Sequence, residues 1–425
     1  MAIPFKKRGL SALILSLFAI ITTDLLRQRN ILNFVDVSTV YAVTRRVNLL
    51  LPNDADVRIY QPISSTITRG VLIFYPHNKE IIFRPELLWF YHSWVEMMNY
   101  EPPLWRTDLI IYTEVYTDVL KELGCVFNRF RTDKSEPPQC RMFLYQPISS
   151  RRTPDLYKNV NIPPYQQINV RRSVLLRQSH AAYGYIDSIN TIAECYPTYS
   201  MYDYILRTDS DTFLTKNFGN FTPNNDTILF GQGGYSTTFT GNRLRRIAQN
   251  MNWLYANLSN LGSTWYGPPR IAQKIANRSM DAILYLAINE FTQAERRGRV
   301  GIALWPDWHY GVLLLYGCDL AINHLVASEN ISIELARRLL DQTTTNRDPN
   351  DIEKNNRLHL HCWHTDDMFS KFQFKAGNYN HIHPHTLIND TSPAGYALRI
   401  ALESRLMSLT KLKQTLQRAK SSPNT

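Results

Sequence analysis

Cysteine is sparse in this chain and follows no metal-binding rhythm. The five thiols, Cys125, Cys140, Cys195, Cys318 and Cys362, form no C-x-x-C pair and no zinc spacing. That removes zinc ribbons and C-x-x-C redox motifs from consideration. In an oxidising lumen Cys125 and Cys140 could close a loop around Pro137-Pro138; the alternative is five free, mostly buried thiols. No G-x-G-x-x-G or Walker loop occurs, so no nucleotide-fold motif is present. Basic residues outnumber acidic ones 47 to 36, a net charge of +11, but they are scattered rather than massed. Such a diffuse field suits an anionic ligand or an acidic surface, and with no nucleic-acid motif beside it nucleic acid is not an expected partner. The hexapeptide Tyr-Gln-Pro-Ile-Ser-Ser stands at 60–65 and again at 145–150, and two copies do not make a repeat architecture.

A long apolar run at the amino terminus is missing too. Lys6-Lys7-Arg8 precede the apolar segment Leu10 to Thr22, which is short for a bilayer span; extension to Leu26 reaches the low end of the roughly 17–25 residues a span needs. No small-x-small cleavage site follows convincingly, so an uncleaved signal anchor is favoured over a cleaved signal. The basic cluster before it keeps the tail cytoplasmic. The expected layout is a cytoplasmic tail (1–9), a signal-anchor helix (10–26), a stem (27–66), a luminal domain (67–390) and a carboxyl-terminal amphipathic helix (391–425). Asn-x-Ser/Thr sequons at Asn220, Asn225, Asn257, Asn277, Asn330 and Asn389 are compatible with a secretory route.

What is present centres on Tyr202-Asp203-Tyr204-Ile205-Leu206-Arg207-Thr208-Asp209-Ser210-Asp211-Thr212-Phe213-Leu214. Tyr204 to Leu206 reads as a buried strand, because strands covered on both faces show continuous apolar runs. If the chain stays extended, period-two alternation puts Asp209 and Asp211 on one face. Paired carboxylates at a strand's carboxyl end suit a divalent cation, and open α/β sheets bind ligands along that edge. The spacing alone is weak, since Asp54-Ala55-Asp56 shares it in a polar loop; the buried strand before Asp209 makes the difference. A strand-end turn capped by aspartates is the plainer alternative.

Around this stretch strand and helix signals alternate from Gly70. Val71 to Tyr75, Asp108 to Thr113, Met142 to Tyr145 and Thr227 to Phe230 read as strands. Pro85 to Met98, Tyr116 to Leu123, Ser173 to Cys195, Asn242 to Leu258, Arg270 to Arg296 and Tyr396 to Arg418 read as helices. The pattern is that of a sheet flanked by helices. Gly231-Gln232-Gly233-Gly234 allows either a tight hairpin or close backbone approach to a ligand, with Gly233 as the candidate contact. Asp307 lies among Trp305, Trp308 and Tyr310, the aromatic surroundings that often hold a sugar, or else forms an ordinary Pro-Asp turn. Six of the eleven histidines fall between His359 and His385.

An amino-terminal anchor, a stem and a strand ending in Asp209-Ser210-Asp211 together resemble a Golgi-type glycosyltransferase of the GT-A fold. The stretches Trp305-Pro306-Asp307-Trp308-His309-Tyr310-Gly311 and His361-Cys362-Trp363-His364-Thr365-Asp366-Asp367-Met368-Phe369 are similar to an animal family described as nucleotide-diphospho-sugar-transferase-like. The similarity runs from about Gly70 to Asn389. It implies an α/β, GT-A-like fold in which a mixed sheet is flanked by helices. It also implies a single-pass type II protein of the Golgi or ER membrane, a nucleotide-diphosphate sugar donor, a glycan or glycoprotein acceptor, and Mn²⁺ or Mg²⁺. By the resemblance Asp211 binds the cation while Asp209 contacts the ribose or the cation. His364 is the further ligand, with His361 the alternative on the opposite strand face. Tyr75, Thr113 and Glu114, at the first two strand ends, line the base and ribose pocket. Asp307 is the candidate general base of an inverting transfer, with Glu290 and His309 behind it. Arg207 and Arg243 meet phosphate or form salt bridges.

Two rivals stand beside this reading. One keeps the fold and binds glycans or partners without turnover. The other is a metal-dependent hydrolase with His359, His361, Asp366 and Asp367 as ligands, which requires those histidines to gather well away from Asp209.

Overall fold

The computed structural model describes residues 66–151, 162–180, 185–296, 308–362 and 369–421, so the expected tail, the anchor and the stem up to residue 65 lie outside the described residues. Ile67–Phe74 (β1) is buried along almost its whole length. A strand covered on both faces requires that pattern, because successive side chains point to opposite surfaces. Its neighbours are both parallel: Trp105–Thr113 (β2) on one side and Tyr204–Arg207 (β5) on the other. Burying Val71, Leu72 and Ile73 contributes on the order of 2 kcal/mol each.

Beyond β2 lie Cys140–Leu144 (β4) and the two-residue Val126–Phe127 (β3), both parallel to their neighbours. Beyond β5 the direction changes. Leu261–Gly267 (β8) runs antiparallel to β5 and to Thr227–Gln232 (β7), and Ser332–Leu335 (β9) is parallel to β7. The eight-stranded sheet therefore has the order β3-β4-β2-β1-β5-β8-β7-β9, with only β8 opposing its neighbours. Val71, Ile73, Leu109, Ile111 and Leu206 share one core with Trp89, Trp94, Leu402, Leu412 and Leu416, so helix Glu80–Met98 and the two carboxyl-terminal helices cover that face. Helices Asp187–Glu194 and Pro269–Asn289 pack against β1 and against β5 and β8, and Leu313–Glu329 packs on Pro269–Asn289. The mixed α/β sheet flanked by helices is as expected.

Several elements differ in extent from the pattern reading. Helix Glu80–Met98 begins a turn before Pro85 and encloses it; the missing N–H of Pro85 falls opposite Ile81, which is 93% exposed, so water can satisfy the unpaired carbonyl there. The helix expected at Asn242 to Leu258 is Thr238–Asn250, stopped where Asn252 takes a left-handed φ of 55°. In place of one helix over Tyr396 to Arg418 there are two, Pro393–Leu406 and Leu409–Ser421. Met407 is extended between them and the Ser408 hydroxyl accepts the Lys411 N–H, a helix cap. Within the expected Ser173 to Cys195 helix, Val170–His180 and Asp187–Glu194 are separate. Leu313–Glu329, with the turn before it, is long and apolar enough to cross a bilayer, but 67% of that window is buried in the fold.

A second, three-stranded sheet positions the site. The chain leaves the large sheet at Arg207, turns through Thr208 to Asp211, and re-emerges as Thr212–Leu214 (β6). There it pairs antiparallel with His359–His361 (β11), which lies parallel to Gln342–Thr343 (β10). The aspartates thus occupy the joint between two sheets.

Candidate functional site

The joint is built by threonines. The Thr208 N–H donates to the Leu72 carbonyl at 3.2 Å, and the Thr212 hydroxyl donates to the Asp209 carbonyl at 2.8 Å. Residues 208 to 211 form a bend instead of continuing the strand, so alternation is not what aligns the carboxylates. They converge all the same: Asp209, Asp211 and His361 offer ligand atoms that all lie within 4.8 Å of one another. The cluster stands just past the carboxyl end of β5, the edge the sequence points to.

Each member is held from a different element. Arg207 Nη2 donates to Asp209 Oδ1 at 2.8 Å and to the Ser188 hydroxyl at 2.7 Å, so Arg207 takes the salt-bridge role. Lys371, opening the helix Lys371–Lys375, donates to Asp211 Oδ2 at 2.5 Å. His361 Nε2 lies 3.5 Å from Asp211 Oδ1, while its Nδ1–H donates to Asp341 Oδ1 at 3.1 Å. Burial pushes the Asp211 carboxyl upward, but Lys371 and His361 hold it well below the usual carboxylate range. Burial pulls the His361 imidazole down, and the Asp211 and Asp341 carboxylates more than offset it, raising its pKa to about 10. Behind this group Glu86 accepts from the Ser210 hydroxyl at 2.9 Å and pairs with Lys375. Burial, then the Asp211 charge, push the Glu86 carboxyl up.

His359 meets the backbone of Asp341 and lies outside the cation cluster. It accepts the Asp341 N–H on Nδ1 at 3.2 Å and donates from Nε2 to the Thr208 hydroxyl at 2.8 Å. Burial draws its pKa down to about 4, so it is a neutral structural histidine. The hydrolase arrangement required histidines gathered away from Asp209; His361 instead stands beside Asp211.

The other expected residues fall as follows. His364 and Asp307 lie outside the described residues, as do Asp366 and Asp367. Tyr75 and Thr113 are buried at the ends of β1 and β2, and their hydroxyls have no hydrogen-bond partner among the described residues. Glu114 carries His77 Nδ1 at 3.4 Å. Gly233 opens the connection through helix Thr238–Asn250 to β8, not a tight hairpin, and a Cβ there would come within 2.7 Å of the Tyr235 ring and 2.8 Å of the Leu261 carbonyl. Trp308 is no sugar platform: it is fully buried and stacked between Phe291 and Tyr316 at 5.1 and 4.4 Å. Arg243 lies over Trp308 and pairs with Glu290, which Arg246 also engages. Lys371, Asp341 and Glu86 went unread in the sequence, and no local spacing marks any of them.

Two carboxylates and an imidazole form a donor set that Mn²⁺ accepts and that Mg²⁺ shares through its oxygens. The second imidazole nitrogen, held by a carboxylate, is the arrangement common behind metal-bound histidine. The residues therefore fit a divalent cation. Residues 63–425 match the family described as "Domain of unknown function (DUF7164)". No curated protein matches the sequence. Among solved structures the chain is similar to the apo bifunctional glycosyltransferase WbbM, at 7% identity and a TM-score of 0.37, covering 86% of this chain. It spans only 53%, about half, of that protein. It is also similar to the galactosyltransferase LgtC in complex with donor and acceptor sugar analogs, at 10% identity and a TM-score of 0.32, covering 74% of this chain and 97% of that one. A further similarity is to mouse xyloside xylosyltransferase 1 in its apo form, at 10% identity and a TM-score of 0.31, covering 65% and 87%.

Proposed function

We propose, for a chain that belongs to the family described as Domain of unknown function (DUF7164), a metal-dependent glycosyl transfer from a nucleotide-diphosphate sugar to a hydroxyl of a glycan or glycoprotein. The observation that carries this reading is the convergence of Asp209, Asp211 and His361 just past the end of a central parallel strand. A Mn²⁺ or Mg²⁺ held there neutralises the charge that builds on a diphosphate as its bond to the sugar breaks. Lys371 brings an ammonium to the same place, and Arg207 keeps Asp209 aimed at it. Tyr75 and Thr113 supply the nucleoside side: buried hydroxyls that find no partner among the described residues, on two adjacent strand ends, suit polar contacts to base or ribose. Asp307 keeps its role as candidate base.

The same reading places the protein as a single-pass type II Golgi or ER membrane protein. Its support is the order of basic and apolar residues in 6–29, the sequons, and the Cys125–Cys140 disulfide, a bond favoured in an oxidising lumen.

Mn²⁺-dependent hydrolysis of a panel of UDP and GDP sugars tests the proposal. Asp211→Ala, checked for folding by circular dichroism because it leaves Lys371 unpaired, should abolish it, and full activity in that variant removes the cation role. A binding protein without turnover is the second reading, favoured by the Lys371 ammonium that already balances Asp211. It predicts Mn²⁺-dependent thermal stabilisation by a sugar nucleotide with no hydrolysis or transfer.

A further inference from the structure

The glycine stretch that begins in β7 has no part in the reading above, and it meets the buried Asp341 that carries His361. Asp341 is 1% exposed and takes a left-handed φ of 54°, a conformation that costs a residue with a Cβ about 1 kcal/mol. Its carboxylate lies against two glycines: a Cβ on Gly231 would come 2.0 Å from Asp341 Oδ2, and one on Gly262 would come 2.3 Å from it. Gly231 in β7 and Gly262 in β8 therefore lack side chains where the carboxylate enters. Thr264 fastens it, donating from its N–H to Oδ2 at 3.1 Å and from its hydroxyl to Oδ1 at 2.6 Å. The Asp341 N–H holds His359, so the backbone of the residue is fixed as well as its side chain.

The second acceptor direction on Oδ1 points at His361. Oδ1 takes the Nδ1–H of that ring at 3.1 Å, and the opposite nitrogen, Nε2, is the one beside Asp211. We infer that Asp341 is a positioning residue: seated on Gly231, Gly262 and Thr264, it holds the hydrogen on His361 Nδ1 and presents Nε2 to a divalent cation at Asp209 and Asp211. A neutral imidazole has a single lone-pair nitrogen, and the partner of the other nitrogen decides which one it is. Outer carboxylates of this kind are worth roughly 10–100-fold in metal affinity. Asp341 touches no substrate on this account and acts only through His361. The inference rests on the cation site proposed above.

The test is Mn²⁺ affinity, read by electron paramagnetic resonance of the free ion, for the full chain and for Asp341→Ala and Asp341→Asn. Folding is followed by near-ultraviolet circular dichroism. Asp341→Ala is expected to bind Mn²⁺ roughly 10–100-fold more weakly with its spectrum unchanged. Asp341→Asn keeps an acceptor oxygen without the charge and should fall between. With ¹⁵N-histidine and saturating Zn²⁺, a diamagnetic ion that takes imidazole nitrogen, the His361 ring of the parent protein should carry its hydrogen on Nδ1. Equal Mn²⁺ affinity in a folded Asp341 variant, or the hydrogen on Nε2, overturns the inference. If Asp341→Ala does not fold, Asp341→Asn and Thr264→Val, which loosens the carboxylate, decide it by the same measure. Absence of Mn²⁺ binding in the parent protein is a different result, and it overturns the cation site itself.

Discussion

Lys371 Nζ lies 2.5 Å from Asp211 Oδ2, and both side chains are only 12% exposed. An ammonium and a carboxylate taken so far out of water are held by each other. Each side chain therefore has two duties, in the fold and at the proposed site.

The first prediction follows from that pair. Lys371→Met leaves Asp211 buried with one partner fewer, and breaking such a pair costs about 3 kcal/mol. Mn²⁺ should restore part of this, raising the melting temperature more in the variant than in the parent protein. Loss of one charge-stabilising donor should also slow sugar-nucleotide hydrolysis roughly 10²–10³-fold. Thermal scans with and without MnCl₂ check the first part; an unchanged melting temperature would count against the pairing.

Chelation gives a second. Ethylenediaminetetraacetate should abolish sugar-nucleotide hydrolysis, and added Mn²⁺ should restore it. Asp209→Ala should need a higher Mn²⁺ concentration for half-maximal rate, since a carboxylate at the cluster is gone while the Arg207 charge remains. A rate indifferent to both treatments would leave the aspartates without a cation.

The Cys125–Cys140 disulfide closes a sequence separation of 15 residues. In the chain-entropy account a loop of that size stabilises by about 3 kcal/mol. Cys125→Ser should therefore lower the urea midpoint by a corresponding amount. The remaining cysteines, Cys195, Cys318 and Cys362, are buried, so maleimide should label the native protein only after denaturation.

A pH dependence is expected from Asp319. Burial pushes its carboxyl up to about 7, against the hydrogen bonds donated by Tyr255, Tyr235 and Asn323. Because the folded value lies above the unfolded one of 3.8, the favourable contribution is complete below that lower value. It is lost as pH rises through the folded value. Asp319→Asn should flatten the profile over that window, removing a slope of up to about 1.4 kcal/mol per pH unit. Urea unfolding of both proteins across the window measures it, and parallel profiles would contradict the assignment.

Legibility varied with range. β1, β2, β4, β5 and β7 could be read from short apolar runs, because burial on both faces leaves a signature within a few residues. β8 and β9 could not. Ser263 and Thr264 interrupt one and Glu334 the other, and their burial depends on neighbours far along the chain. The Gly231 stretch allows a tight hairpin or close approach to a ligand in the sequence, whereas the nearest atoms at Gly231 are the carboxylate of Asp341. The carboxyl-terminal helix had the right period, yet Ser408 is a cap in its middle, and an unbroken leucine rhythm hid the break.

The local pattern by itself determined an α/β chain and singled out Asp209 and Asp211, since a buried strand ending in paired carboxylates is written in consecutive residues. Only the tertiary structure decided their company. β6 pairs with β11 and so carries His361 to Asp211, while the start of helix Lys371–Lys375 brings in Lys371 and the bend just before β10 brings in Asp341. The register of two short strands is settled by packing across the whole core, and that has no period to be read in the chain.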